Sequence, residues 1–170
     1  SSSLKASEYE ITVLATNIAN FGGVGEWSFS ALLESDDESI LFDTGFDENT
    51  VLHNAKLLGK DLSKVEKVIL SHFHGDHTGG LIKLRKTFMV KNPDAFSKVY
   101  VAEGFFEQRY DQNGNLRGFI GGFDDVSDFI KATQEVGIDF VIIDEHYEIA
   151  ENLILSGPVE RIFEDVVVSP

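Results

Sequence analysis

The chain has 170 residues, 42% hydrophobic and 25% charged, enough for one domain with a real core and unlike a disordered tail. Its 14 Lys plus Arg against 29 Asp plus Glu give a formal charge of −15, so neither nucleic acid nor a membrane is expected as a partner. With no cysteine, disulfides, thiolate metal sites and cysteine nucleophiles are excluded.

No run approaches the roughly 18 apolar residues of a membrane span, and no basic segment leads into an apolar signal core. The start at Ser1-Ser2-Ser3, without Met, leaves processing open and the location, cytoplasmic or exported, unassigned.

In chain order, residues 1–10 read as an N-terminal extension and 11–16 as a first strand. The connection after it carries Gly22, Gly23 and Gly25 but lacks both the GxGxxG spacing and the strand-to-helix setting of a dinucleotide site. Strands are predicted over 29–33 and 40–42, around the acidic turn at Asp36 and Asp37. A helix over 48–58 ends near Gly59, and a short turn covers 62–65. The apolar strand 68–70 then delivers the chain into Ser71-His72-Phe73-His74-Gly75-Asp76-His77, with a helix from about Thr78 that carries Leu81, Ile82 and Leu84.

Beyond Pro93, residues 99–101 read as a strand and 105–122 as an aromatic, glycine-rich excursion. Val126, Phe129, Ile130 and Val136 make one helical face, with Asp124 or Asp125 at its N-terminus. Strands at 140–143 and 153–155 are predicted to be linked as a hairpin through 148–151, and 166–168 reads as a buried strand. The mixture of strand and helix makes the fold class α/β, with no repeat or internal domain boundary.

The chemistry concentrates in His72-x-His74-x-Asp76-His77: four nitrogen and oxygen donors within six residues, including three of the five histidines. Imidazole and carboxylate ligands suit zinc, iron or manganese, and a tight loop converges them without long-range closure. Gly75 relieves crowding within the loop, and Gly79 and Gly80 permit close packing where the chain leaves it. The bland alternative is an exposed polar turn whose histidines make local hydrogen bonds.

Together with Ile40-Leu41-Phe42-Asp43-Thr44-Gly45 upstream, this pattern resembles the metallo-beta-lactamase fold superfamily. Matches in 50–59, 61–63, 71–80 and Leu155-Ser156-Gly157 resemble its dihydropterin ribofuranosylaminobenzene phosphate synthase-like branch. The resemblance covers about residues 11–160. It implies a metallo-beta-lactamase-like αββα sandwich of which residues 11–170 are the N-terminal portion.

The same resemblance implies two divalent transition metals, zinc first, with iron or manganese as alternatives. His72 and His74 would hold one metal, Asp76 and His77 the other. Asp76 would also orient the metal-activated hydroxide or manage its proton. Asp43 would accept the non-coordinating imidazole N–H of a ligand and fix its tautomer. The implied activity is metal-dependent hydrolysis of a small metabolite, phosphorylated or cyclic. The alternatives are a synthase-like pterin-pathway reaction and a noncatalytic metal- or partner-binding domain with an incomplete site. Nuclease and electron-transfer roles carry less weight, and beta-lactam cleavage does not follow from the fold.

The later His, bridging Asp and final His of such two-metal sites have no recognisable counterpart here. Outside the cluster only His53 and His146 remain, the first expected to pack or cap on its helix and the second to lie on the surface. A fragment of a larger enzyme is therefore expected, with a C-terminal fragment completing the site; a second chain, or a reduced metal binder, are the alternatives.

Other features are weighed against duller roles. Asp43-Thr44-Gly45 also resembles the turn of an aspartic protease, but only one copy is present and that chemistry needs two carboxylates sharing a proton. Lys83, Arg85, Lys86 and Lys91 form a basic run that reads first as a solvated helix face and second as a phosphate attractant. Asp111, Asn113 and Asn115 fail as a calcium loop because Leu116 and Gly122 occupy positions that need Gly and Glu. Phe105, Phe106, Tyr110 and Phe119 read equally as core flap or substrate-facing insertion. Residues 22–25 read as a mobile loop near the metal mouth, and Trp27 beside it reads first as core and second as a cover for apolar substrate. Asn54 is expected on a helix surface.

Overall fold

The structure, a computed structural model, describes residues 8–107, 109–115, 123 and 125–158. The expected strand at 166–168, Leu116, Phe119, Gly122 and Asp124 lie outside these.

Six strands form one sheet in sequential order: β1 (Glu10–Ala15), β2 (Ser30–Glu34), β3 (Ser39–Phe42), β4 (Lys67–Ile69), β5 (Lys98–Ala102) and β6 (Asp139–Ile143). The first two pairings are antiparallel, the first across the long glycine-containing loop and the second across a short turn. From β3 to β6 every pairing is parallel, each strand returning through helix or turn. The crossovers contain α1 (Thr50–Leu57), α2 (Gly75–Thr78), α3 (Leu81–Phe88) and α4 (Val126–Glu135).

Side-chain alternation divides the sheet into two faces. Leu14, Leu32, Leu41, Val68, Val99 and Val101 point to one, where Val51 and Ala55 of α1, Leu81 and Leu84 of α3 and Phe129 of α4 complete the main core. Ile40, Ile69, Tyr100 and Ile143 point to the other. There a two-stranded hairpin, β7 (Tyr147–Ala150) with β8 (Leu153–Leu155), supplies Ile149, Ala150, Leu153 and Leu155. The described layers are thus helix, large sheet and small sheet.

Several expectations need correction. Residues 148–151, expected as the connection of a hairpin between 140–143 and 153–155, mostly belong to strand β7, because Ile149 and Ala150 are buried against the large sheet. The turn follows at Asn152, whose φ of 62° is one that Asn tolerates. The helix expected from Thr78 starts at Gly75 and is interrupted, leaving α2 and α3 on either side of Gly79 and Gly80.

Arg85, assigned to a solvated basic face, is buried; its guanidinium donates to the carbonyls of Val136 (2.9 Å), Pro93 (2.6 Å) and Ala95 (2.7 Å). It ties α3 to the ends of two other segments and is not free to meet a phosphate. Asn54 is buried as well, bonding Leu14 and the Val24 backbone, because the glycine-containing loop folds over α1. Trp27, read first as core, is 79% exposed.

Candidate metal centre

The site is built where β3 and β4 end side by side. The chain leaves β3 into Asp43-Thr44-Gly45, and it leaves β4 through Leu70 into the histidine loop. Backbone bonds lock the two loops together: Asp43 N to Ile69 O (2.8 Å), Thr44 N to His77 O (2.7 Å) and Gly79 N to Gly45 O (2.9 Å). The approach is close enough that a Cβ on Gly79 would sit 1.9 Å from Phe46 O, and one on Gly80 would sit 2.3 Å from Thr44 O. Only glycine fits at either position, which gives the Gly79-Gly80 pair a steric reason.

Asp43 is 1% exposed and makes the central polar contacts. It accepts from Ser71 N at 2.8 Å, from Ser71 Oγ at 2.7 Å and from His77 Nδ1 at 2.6 Å. These bonds assign hydrogens. A neutral His77 carries its proton on Nδ1, facing Asp43, which leaves a lone pair on Nε2. Since the Ser71 hydroxyl donates to Asp43, its oxygen accepts from His72 Nδ1 at 2.9 Å, so His72 also has its lone pair on Nε2. One buried carboxylate thereby sets two tautomers, one directly and one through Ser71.

The candidate donors come together in two pairs. His72 Nε2 and His74 Nδ1 are 3.0 Å apart, and His77 Nε2 is 3.4 Å from Asp76 Oδ2. Burial first, then the neighbouring His77 and His74, hold the His72 imidazole below its ordinary pKa, favouring the neutral form that a cation requires. Among the described residues no three His, Asp or Glu side chains are gathered into a cation cage. The pairs nevertheless fit divalent transition metals by donor type. Two nitrogens bound to one cation at about 2.1 Å, with angles near 90–110°, lie about 3.0–3.4 Å apart, the range of the His72–His74 separation.

The other candidates lie elsewhere. His53 Nε2 meets Gly22 O at 2.7 Å and packs locally, and His146 is exposed. Asp111 turns its carboxylate onto Asn113 N and onto the backbone and side chain of Asn115, closing its own turn.

Four contributors were not singled out in the sequence. Ser71 could have been suspected from its place between an apolar strand and His72. Phe46 lines the cleft beside His74 and Asp76, and Glu26 accepts from its amide; nothing in their local sequence links them to the site. Arg109 places its guanidinium carbon 4.5 Å from the centroid of Phe73, the residue between His72 and His74, and so brings positive charge to the loop.

A family model described as the metallo-beta-lactamase superfamily matches residues 27–147. The chain belongs to that superfamily. An uncharacterized protein, MJ0448 of Methanocaldococcus jannaschii, is 29% identical over 154 residues, covering 91% of this chain and 55% of its own length. The 7,8-dihydropterin-6-methyl-4-(beta-D-ribofuranosyl)-aminobenzene-5'-phosphate synthase of the same organism is 30% identical over 113 residues, covering 60% of this chain and 38% of the relative. The crystal structure of Tm1679, described as a metal-dependent hydrolase of the beta-lactamase superfamily, superposes with a TM-score of 0.62 at 27% identity, over 90% of this chain and 49% of that one. The chain spans about half the length of the first of these relatives and of that structure, and less of the synthase.

Proposed function

We propose that the chain carries the metal-binding part of a hydrolase that acts on a small phosphorylated metabolite. The observation that carries this reading is the wiring of Asp43, which leaves Nε2 of both His72 and His77 as acceptors beside a second donor. In it His72 and His74 would hold one divalent cation, and Asp76 with His77 a second, zinc being the first choice for these donors. Such cations supply charge that polarises the bond under attack and lowers the pKa of water.

The chain's own residues supply the rest. Asp43 and Ser71 hold the imidazoles in one orientation and tautomer, so little reorganisation is needed on loading. Asp76, partly exposed at the start of α2, is the group available to take or return a proton at the reacting oxygen. Arg109 offers a cation for the phosphate, a role that the buried Arg85 cannot fill.

A second reading, a synthase-like pterin-pathway reaction, is favoured by the similarity to the dihydropterin synthase named above. Calorimetric titration with zinc, manganese and iron, followed by assays on ester, phosphodiester and lactam panels, tests the hydrolase reading, and the same assay on a dihydropterin substrate tests the synthase reading. The expected result is transition-metal binding that His74→Ala weakens at least tenfold, with turnover in the phosphodiester class. A folded chain that binds none of the three metals and is indifferent to His74→Ala would falsify the hydrolase reading. Stoichiometric metal without turnover on any panel would leave a binding domain in its place.

A further inference from the structure

Beside His74 and Asp76 opens a cleft of about 520 Å³, lined by those two residues with Gly75, Trp27 and Phe46. Trp27 is 79% exposed and Phe46 62% exposed, and among the described residues neither ring meets another aromatic ring. Two large aromatic side chains left to water in a cleft that His74 and Asp76 also line have the composition of a ligand site.

The two walls come from loops nineteen positions apart in sequence, and one side chain joins them. Glu26, adjacent to Trp27, turns its carboxylate across the gap. Its Oε1 accepts from Phe46 N at 2.8 Å and from Ser28 Oγ at 2.6 Å. Its Oε2 accepts from Asp47 N at 3.1 Å and from Thr50 Oγ1 at 2.9 Å. Four donors occupy the about four lone-pair positions that a carboxylate has, so Glu26 has none left for a cation or substrate.

The amide it holds is that of Phe46 itself, and Ser28 binds it through both side chain and backbone, so the chain is pinned on either side of Trp27. Gly45 completes the fit: with φ at 74°, a Cβ there would stand 2.8 Å from Glu26 Oε1.

We propose that Glu26 is a positioning residue that fixes the segments carrying Trp27 and Phe46 beside this cleft, and that the cleft takes a flat aromatic group of the substrate. The proposal rests on the hydrolase reading only in locating the reacting bond at His74 and Asp76; binding of the aromatic group does not require turnover. Flat rings stack on or edge against both walls, whereas an alkyl group of equal charge forfeits those contacts.

Trp27 is the chain's one tryptophan, so its emission reports the cleft directly. The chain, supplied with zinc, is titrated with p-nitrobenzylphosphonate, whose C–P bond resists hydrolysis and whose nitroaryl ring quenches indole. Methylphosphonate serves as competitor and N-acetyltryptophanamide as the free-indole reference. Saturable quenching is expected, with methylphosphonate displacing the probe at least tenfold less effectively than benzylphosphonate. Phe46→Ala and Glu26→Ala are expected to raise the half-saturation concentration at least fivefold, and Glu26→Gln, which keeps one acceptor oxygen, to recover part of the loss. Phe21→Ala, which removes a fully exposed aromatic outside the cleft, should change nothing.

Quenching that rises linearly as it does for free indole would overturn the proposal. So would an unchanged half-saturation in Phe46→Ala, a substitution at an exposed side chain, once its circular dichroism is shown to match the parent's. Saturable aryl binding in a protein that hydrolyses nothing supports the cleft and removes the hydrolase. Hydrolysis with equal kcat/KM on aryl and alkyl phosphodiesters, without saturable binding, does the reverse.

Discussion

Two loops meet at the candidate site and are held there by different means. The histidine loop is set first by its backbone, locked to the Asp43-Thr44-Gly45 turn by Thr44 N to His77 O and Gly79 N to Gly45 O, with glycines where any side chain would collide, and the one Asp43 carboxylate adds bonds to Ser71 and His77. The loop that carries Trp27 is set largely by side chains, Glu26 reaching to Phe46, Asp47 and Thr50, and Asn54 reaching back from α1. Backbone wedging tolerates no substitution but also no adjustment. Side-chain clamping can be altered one bond at a time. A hydrolase benefits from this division, since metal ligands need fixed positions while the walls that choose a substrate must be free to change.

The sharpest way to break the contrast is to wedge the rigid loop. Gly79→Ala forces a Cβ against Phe46 O, a backbone atom that moves only with its whole turn, and is expected to cost about 3 kcal/mol. Urea unfolding measures it, with a falling midpoint at constant slope. Gly59→Ala is the control: it has the same demand for positive φ as other turn glycines but nothing within 4 Å, so about 1 kcal/mol is expected. Equal losses at both positions would mean that the close approach at Gly79 is not what holds the loop.

Next in size is Asp43→Asn. Its φ of 54° suits Asn as well as Asp, so the backbone is not strained by the change. What is lost is the buried acceptor for Ser71 and His77, worth about 1–3 kcal/mol of stability. Under the proposed role, zinc affinity falls about 10- to 100-fold, because the tautomers of His72 and His77 are no longer imposed. Calorimetric titration separates the two effects: loss of stability with zinc binding intact would assign Asp43 to the fold alone.

How much of this was legible in the sequence follows the same division. The strand and helix segments were readable because their periodicities are local, as at 40–42 and in the α4 face around Phe129, whereas the order of strands in the sheet is set by long-range pairing and was not. The metal candidates were readable because all four lie within six residues, and Asp43 because it ends an apolar strand. Arg85 and Asn54 misled because a charged or amide side chain on a helix reads as surface until distant carbonyls, such as Pro93 and Leu14, are known to surround it. Glu26 was unreadable for the same reason: all but one of its side-chain partners lie twenty or more positions away, and a lone glutamate in a glycine-rich loop has no local signature.

The mildest test is aimed at the adjustable loop from its other end. Asn54 donates to Leu14 O at 2.7 Å and Val24 O at 2.8 Å and accepts from Val24 N at 2.8 Å, so Val24 is stitched to both α1 and β1 by one amide. Asn54→Ala should cost about 2 kcal/mol, since it leaves a buried carbonyl at Leu14 without that donor. Hydrogen exchange at the Val24 amide should accelerate in proportion, while zinc affinity stays within twofold of the parent because none of these bonds reaches Asp43 or the histidines. If zinc binding weakened along with exchange protection, the two loops would be one mechanical unit, and the separation between a fixed metal loop and an adjustable substrate wall would have to be given up.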